Sequence, residues 1–253
     1  MAWRCSGRSN AELIANLRRA SILESDAVAE AMSKVDRRNY LPGRPASEIS
    51  YQDSPQSIDF GATISAPHMH AYALESLAPF LTKPGASALD VGSGSGYLLA
   101  VLHHLAPPPT PSTSAVVSES AAAASQHSDG GKGKIVGIEH IAELTEASKM
   151  NLRDDGLGAQ LDGGRIEVHT GDGRLGWPPG APYSIIHVGA AAPSIPQALI
   201  DQLARPGRLF IPVGQHSQDI WEIDRAEDGS VTRRKVMGVR YVPLTDAEAQ
   251  WPR

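Results

Sequence analysis

Apolar residues recur along this chain in two rhythms, and the change between them divides it. Near the start Leu13, Ile14 and Leu17 share one helical face, and Ser9 followed by Glu12 has the spacing of a capping box that opens such a helix. Ser25 and Asp26 begin a second helix, with Val28, Met32 and Val35 as its stripe. Pro42, Gly43 and Pro45 break the pattern. Residues 51–67 are polar and punctuated by Pro and Gly, a segment read as a surface excursion or a functional loop. A helix is expected over 69–81.

From there short apolar runs alternate with helical stretches. Strands are expected at 86–91, 134–139, 165–169, 183–188 and 207–213. Helices are expected at Tyr97–Leu105, from the end of the second strand through Leu152, and at 196–203. This alternation implies a parallel sheet wrapped on both faces. Residues 220–223 and 239–242 read as later strands pairing at a sheet edge. The expected fold class is α/β: a doubly wound, mostly parallel sheet with a helical N-terminal segment and antiparallel strands near the C-terminus. One domain is expected over 1–253, interrupted at 107–133. That stretch is rich in Pro, Ser, Ala and Gly, has no aromatic residue, and is expected to be a disordered insertion.

Composition narrows the partners. A formal charge of -5 gives no electrostatic footprint for nucleic acid or an anionic membrane. No apolar stretch approaches the ~20 residues that span a bilayer. The first ten residues carry two arginines and no apolar run, which does not read as a secretory signal. With one cysteine, Cys5, no intramolecular disulfide can form. The expected localisation is cytoplasmic, in the cytosol.

The sharpest local signal is a strand ending in Asp90 and followed by Gly92, Gly94 and Gly96. Glycines admit positive φ and let a ligand approach bare backbone. The dinucleotide fingerprint is G-x-G-x-x-G, whereas here the spacing is G-x-G-x-G with an acid before it. An acid suits a cationic amino group better than a pyrophosphate. Glu139, ending the second strand, is placed to accept ribose hydroxyls, and Asp172, in the loop after the third, to accept from an adenine amino group. Three acids at three successive strand ends converge on the crevice where open α/β sheets bind ligands. The cofactor this set fits is S-adenosyl-L-methionine.

With these residues placed, the sequence closely resembles the protein L-isoaspartate (D-aspartate) O-methyltransferase family. The resemblance runs through residues 53–57 (Asp-Ser-Pro-Gln-Ser), 62–71 (Ala-Thr-Ile-Ser-Ala-Pro-His-Met-His-Ala) and 89–96 (Leu-Asp-Val-Gly-Ser-Gly-Ser-Gly). It continues through 187–193 (His-Val-Gly-Ala-Ala-Ala-Pro), 196–203 (Pro-Gln-Ala-Leu-Ile-Asp-Gln-Leu) and 241–246 (Tyr-Val-Pro-Leu-Thr-Asp). It implies a Rossmann-like class I methyltransferase that methylates the misplaced α-carboxylate of isoaspartyl residues in damaged proteins and peptides. The ester then collapses to a succinimide, whose hydrolysis returns some normal aspartate. It also implies a monomer. Carried over residue by residue, the active-site position falls on Ser65. Cofactor positions fall on Ala62, Thr63, Ile64, Ser65, His70, Ser95, Glu139, His140, Asp172, Gly173, Thr245 and Gln250, beside Asp90, Gly92 and Gly94 of the loop. No metal is implied.

Three residues depart from the family pattern: Glu139 stands where many members carry Asp, Ser184 where an acid is expected, and Asp59 where a glycine is expected. Other readings are weaker. A Ser-His-acid hydrolase lacks the G-x-S-x-G elbow. His68 and His70, two apart on a helix, point to different sides and make a poor metal pair. A methyltransferase for RNA sits badly with the charge. An inactive binding protein sits badly with the retention of Ser65 and all three acids.

Overall fold

The computed structural model describes residues 5–81, 83–107 and 133–251. Apart from its end residues Pro107 and Gly133, the expected insertion therefore lies outside the described residues. Helix α1 (Asn10–Arg19) starts at Ser9, whose hydroxyl accepts the Glu12 N–H at 3.1 Å, and buries Leu13, Ile14 and Leu17. The Glu12 carboxylate turns back to the Arg8 N–H (2.9 Å), one residue earlier than a capping box requires. Helix α2 (Asp26–Ser33) is capped by Ser25, and α3 (Ser47–Ser50) is a single turn. The segment left unassigned between 51 and 67 holds a two-residue hairpin, β1 (Gln56–Ser57) and β2 (Thr63–Ile64), which leads into α4 (Pro67–Leu81).

Then come β3 (Ala88–Val91), α5 (Tyr97–Leu105), β4 (Ile135–Glu139), α6 (Ala142–Leu152), α7 (Gly158–Asp162) and β5 (Ile166–Thr170). They are followed by β6 (Tyr183–Val188), α8 (Gln197–Asp201), β7 (Leu203–Val213), β8 (Gln218–Arg225), β9 (Val231–Val239) and α9 (Ala247–Gln250). One sheet has the order β5-β4-β3-β6-β7-β8-β9. Its first five strands are parallel, and β8 and β9 are antiparallel to their neighbours. Neighbours of β3 lie on opposite sides, so the crevice beyond β3 and β6 is the topological switch point where such sheets bind ligands.

Successive strand residues face opposite layers. Ala88, Ile135 and Ile185 pack with α1, α2, α4 and α5, whereas Leu89, Val136 and Ile186 pack with α8 and with Leu244 of the C-terminal segment. Among the described residues no helix is long and apolar enough to cross a membrane.

Three expectations move most. The strand expected at 239–242 is instead β9, ending at Val239. Its run Arg233-Arg234-Lys235 obscured it, but an edge strand with one wet side tolerates, and is protected by, such charges. Residues 240–246 leave the sheet and cross the strand ends, where Ala191 N donates to Val242 O and Leu244 N to Ala191 O, both at 2.8 Å. The helix expected at 196–203 is shorter, and β7 begins at Leu203 rather than Gly207. Pro206 reads as a break; the register shift between Tyr183 and Ile185 accommodates it without a ladder donor.

Candidate active site

At the end of β3 the chain turns through Gly92, Gly94 and Gly96, all at positive φ (+73°, +52° and +89°). The three positions differ in what surrounds them. A Cβ on Gly92 meets nothing within 4 Å, one on Gly94 meets Ile58 Cδ1 at 2.9 Å, and one on Gly96 meets Ser148 Oγ at 2.5 Å. Gly92 therefore faces open space, and Gly96 lets α5 start tight against α6. Gly96→Ala is expected to cost about 2–4 kcal/mol, from left-handed backbone strain plus overpacking. Urea denaturation measures it, and an unchanged midpoint refutes the tight fit.

Each strand-end acid is held by the protein. Asp90 pairs across the sheet with His187, the two being register partners, and Oδ1 takes the ring Nδ1 at 2.7 Å. Glu139 Oε2 accepts the Gly94 N–H at 3.0 Å and Oε1 the Ile141 N–H at 3.1 Å. It thus ties the glycine loop to the second strand. Asp172 accepts from the Arg174 backbone and guanidinium at 2.9–3.1 Å, which holds its carboxyl below the usual carboxylate range. Arg174 also reaches Asp246 at 2.5 Å, fastening the C-terminal segment over the mouth. Gln250 makes a second fastening, to His140 Nε2 (2.9 Å) and to Phe60 O (3.3 Å).

Two connected cavities lie beneath this cover. The larger is lined by Ala62, Thr63, Gly92, Gly94, Glu139 and His140, together with Asp172, Gly173, Thr245 and Gln250. The smaller takes in Ile64, Ser65, His70, Asp90 and Ser95. All the residues expected at the site thus line one or the other. Ser93 Oγ, Ser95 Oγ and His70 Nδ1 are buried without a protein partner. Burial, then the charge of Arg37, holds His70 well below its ordinary titration range, so its ring is neutral. That ring lies 4.9 Å from Tyr97, whose phenol burial pushes up to about 12. Ser65 also lines an outward groove with Pro55, Met69, Arg240 and Tyr241. Burial raises the Tyr241 phenol, and a hydrogen bond with Ser65 partly offsets the rise.

The departures fall in different places. Asp59 has φ +66°, a conformation that favours glycine, and Phe60 and Gly61 share it. Ser184 lies near the start of β6, at the opposite end of the sheet from the crevice, where its hydroxyl accepts the Ser87 N–H at 3.4 Å. Sequence reasoning left four residues without a role: His187, Arg174, Tyr241 and Asp53. Only Arg174, two residues after Asp172, had a local signal.

A family model described as Protein-L-isoaspartate(D-aspartate) O-methyltransferase matches residues 8–249. The chain is 44% identical over 241 residues to a protein-L-isoaspartate O-methyltransferase of Triticum aestivum, covering 95% of this chain and 93% of that one. It is 43% identical over 255 residues to one of Caenorhabditis elegans, covering all of both. Among solved structures, a putative protein-L-isoaspartate O-methyltransferase of Plasmodium falciparum in complex with S-adenosyl-L-homocysteine aligns with TM-score 0.73 at 28% identity. It covers 94% of this chain and 98% of that one.

Proposed function

The chain belongs to the protein-L-isoaspartate (D-aspartate) O-methyltransferase family, and from that premise we propose that Ser65 is the residue that presents the substrate carboxylate for methylation. The activity is S-adenosylmethionine-dependent methylation of the α-carboxylate of isoaspartyl and D-aspartyl residues, which starts their repair through a succinimide. The observation that carries the role of Ser65 is its position: it lines both the cleft beside the glycine loop and the neighbouring groove along Arg240 and Tyr241.

The groups lining these two clefts suit the cofactor. Buried hydroxyls of Ser93 and Ser95 without protein partners, the open side of Gly92 and three acids make a donor and acceptor set for a polar, cationic molecule. When bound, S-adenosylmethionine supplies an electrophilic methyl group on a sulfonium. Asp90 Oδ2, with Oδ1 taken by His187, is left for the α-amino group. Glu139 accepts the ribose hydroxyls with the lone pairs its two backbone bonds leave over. Asp172 and Gly173 would hold the adenine, with His140, Thr245 and Gln250 lining the same cleft. Ser65 donates its hydroxyl proton to the incoming carboxylate as a hydrogen bond, without acting as nucleophile or base.

A single methyltransferase domain spanning the chain accords with the match over residues 8–249. A cytosolic monomer that acts on proteins rather than nucleic acid is the accompanying reading, supported by the net charge of -5 and the single cysteine. The test is one peptide synthesised in aspartyl and isoaspartyl forms and incubated with radiolabelled S-adenosylmethionine. Base-labile methyl label is expected on the isoaspartyl form only. Equal labelling of both, or none, overturns the reading.

A further inference from the structure

Asp53 is fully buried, in the loop before β1. Its Oδ1 accepts twice from one residue, His68: from the backbone N–H at 2.9 Å and from the ring Nδ1 at 2.7 Å. The first bond is ordinary helix-terminus chemistry, since His68 lies in the first turn of α4 and a carboxylate there meets an unpaired N–H and the positive end of the helix. The second does nothing for the helix. It orients a ring. A buried carboxylate is costly to keep, and a serine or asparagine in its place caps a helix without that cost.

The oriented ring stands at the edge of the substrate path. His68 is only partly buried, packs edge-to-face with Tyr72, and lines a groove with Pro55, Met69, Arg240 and Tyr241. Those last four residues also line the groove at Ser65, so the two are continuous. His68 is three positions after Ser65, which sets their Cα atoms no more than about 11 Å apart, within three residues of an extended peptide. Among the described residues His68 Nε2 has no hydrogen-bond partner. With Nδ1 taken by Asp53, Nε2 is the ring atom left to bond, and what a groove for peptides offers it is a group of the peptide backbone. His70, two residues further along the same helix, lines the cleft beside the glycine loop instead.

We infer that His68, oriented by Asp53, is a substrate-positioning residue whose Nε2 hydrogen-bonds the backbone of the peptide flanking the isoaspartyl residue. This rests on the isoaspartyl reading above. Two substitutions separate the ring's two nitrogens. The amide of His68→Asn reaches the Nδ1 position and keeps the Asp53 bond, but has nothing at Nε2. The amide of His68→Gln reaches Nε2.

For His68→Asn the KM for an isoaspartyl peptide is expected to rise about tenfold. Its calorimetric affinity for S-adenosylmethionine and its melting temperature are expected to stay those of the wild type, and His68→Gln to recover most of the KM. A wild-type KM in His68→Asn overturns the inference. So does a rise accompanied by an equal loss of cofactor affinity, or a KM that His68→Gln does not improve. Wild-type protein that methylates no isoaspartyl peptide overturns the functional reading itself, a result distinct from all of these.

Discussion

Ser65→Ala is expected to lower turnover on an isoaspartyl peptide by about 10²–10³-fold, the usual effect of removing one donor aimed at a reacting oxygen. The chemistry concentrates this loss in turnover. A carboxylate titrates near ~4 and is already ionised at neutral pH, so no group need deprotonate it. Methyl transfer from a sulfonium is an in-line displacement, and the barrier responds to how closely and in what direction the oxygen approaches. Proximity and orientation are worth up to ~7–11 kcal/mol in favourable cases. The Ser65 hydroxyl, beside Tyr241 and placed where cleft and groove meet, is the group that sets this approach. The substitution removes only the hydroxyl and leaves the backbone of β2 and the glycine loop in place. Calorimetric affinity for S-adenosylmethionine is therefore expected to stay within about threefold of the wild type, because every other cofactor position keeps its side chain and Ser65 keeps its backbone. Turnover at the wild-type rate removes Ser65 from the mechanism.

Much of this arrangement is readable along the chain because it is written in local chemistry. Tyr97–Leu105 and Tyr183–Val188 emerge at their sequence bounds because apolar runs meet glycines or prolines at both ends. The glycine loop and its acids are legible because each sits at a strand end, where side chains and turn residues change character together. What escapes is fixed by partners distant in sequence. Asp90 and His187 are 97 positions apart and meet only through the pairing of β3 with β6. Asp53 gains its significance from His68, and Tyr241 from Ser65, only once the hairpin and the C-terminal segment fold together. β9 escapes for another reason. Its charges are those of an edge, and whether a strand is an edge is a property of the sheet.

Glu139→Gln is expected to weaken S-adenosylmethionine binding by about 10²–10³-fold while leaving a folded protein. The carboxylate divides its oxygens, one to the Gly94 N–H and one to the Ile141 N–H. A carboxamide has one oxygen, so either rotamer sets an NH₂ against a backbone donor in a nearly closed site. A buried donor without an acceptor costs about 1–3 kcal/mol, and hydrogen bonds to a charged acceptor contribute about 1.5–3 kcal/mol each. The first cost falls on the glycine loop, whose Gly94 amide loses its anchor. The second falls on the ribose hydroxyls, which lose a charged acceptor. Both worsen cofactor binding, and together they reach about 3–4 kcal/mol, which corresponds to the stated range. Glu139→Asp serves as the control: it keeps two acceptor oxygens and the charge on a stem one methylene shorter, and many relatives with this fold are expected to carry it. It should bind the cofactor more tightly than Glu139→Gln, because acceptor count outweighs reach here. Calorimetry on the two variants decides the matter. Equal affinities show that the pairing of each oxygen with its own N–H does not hold the loop, and that the charge of Glu139 contributes nothing to the ribose site.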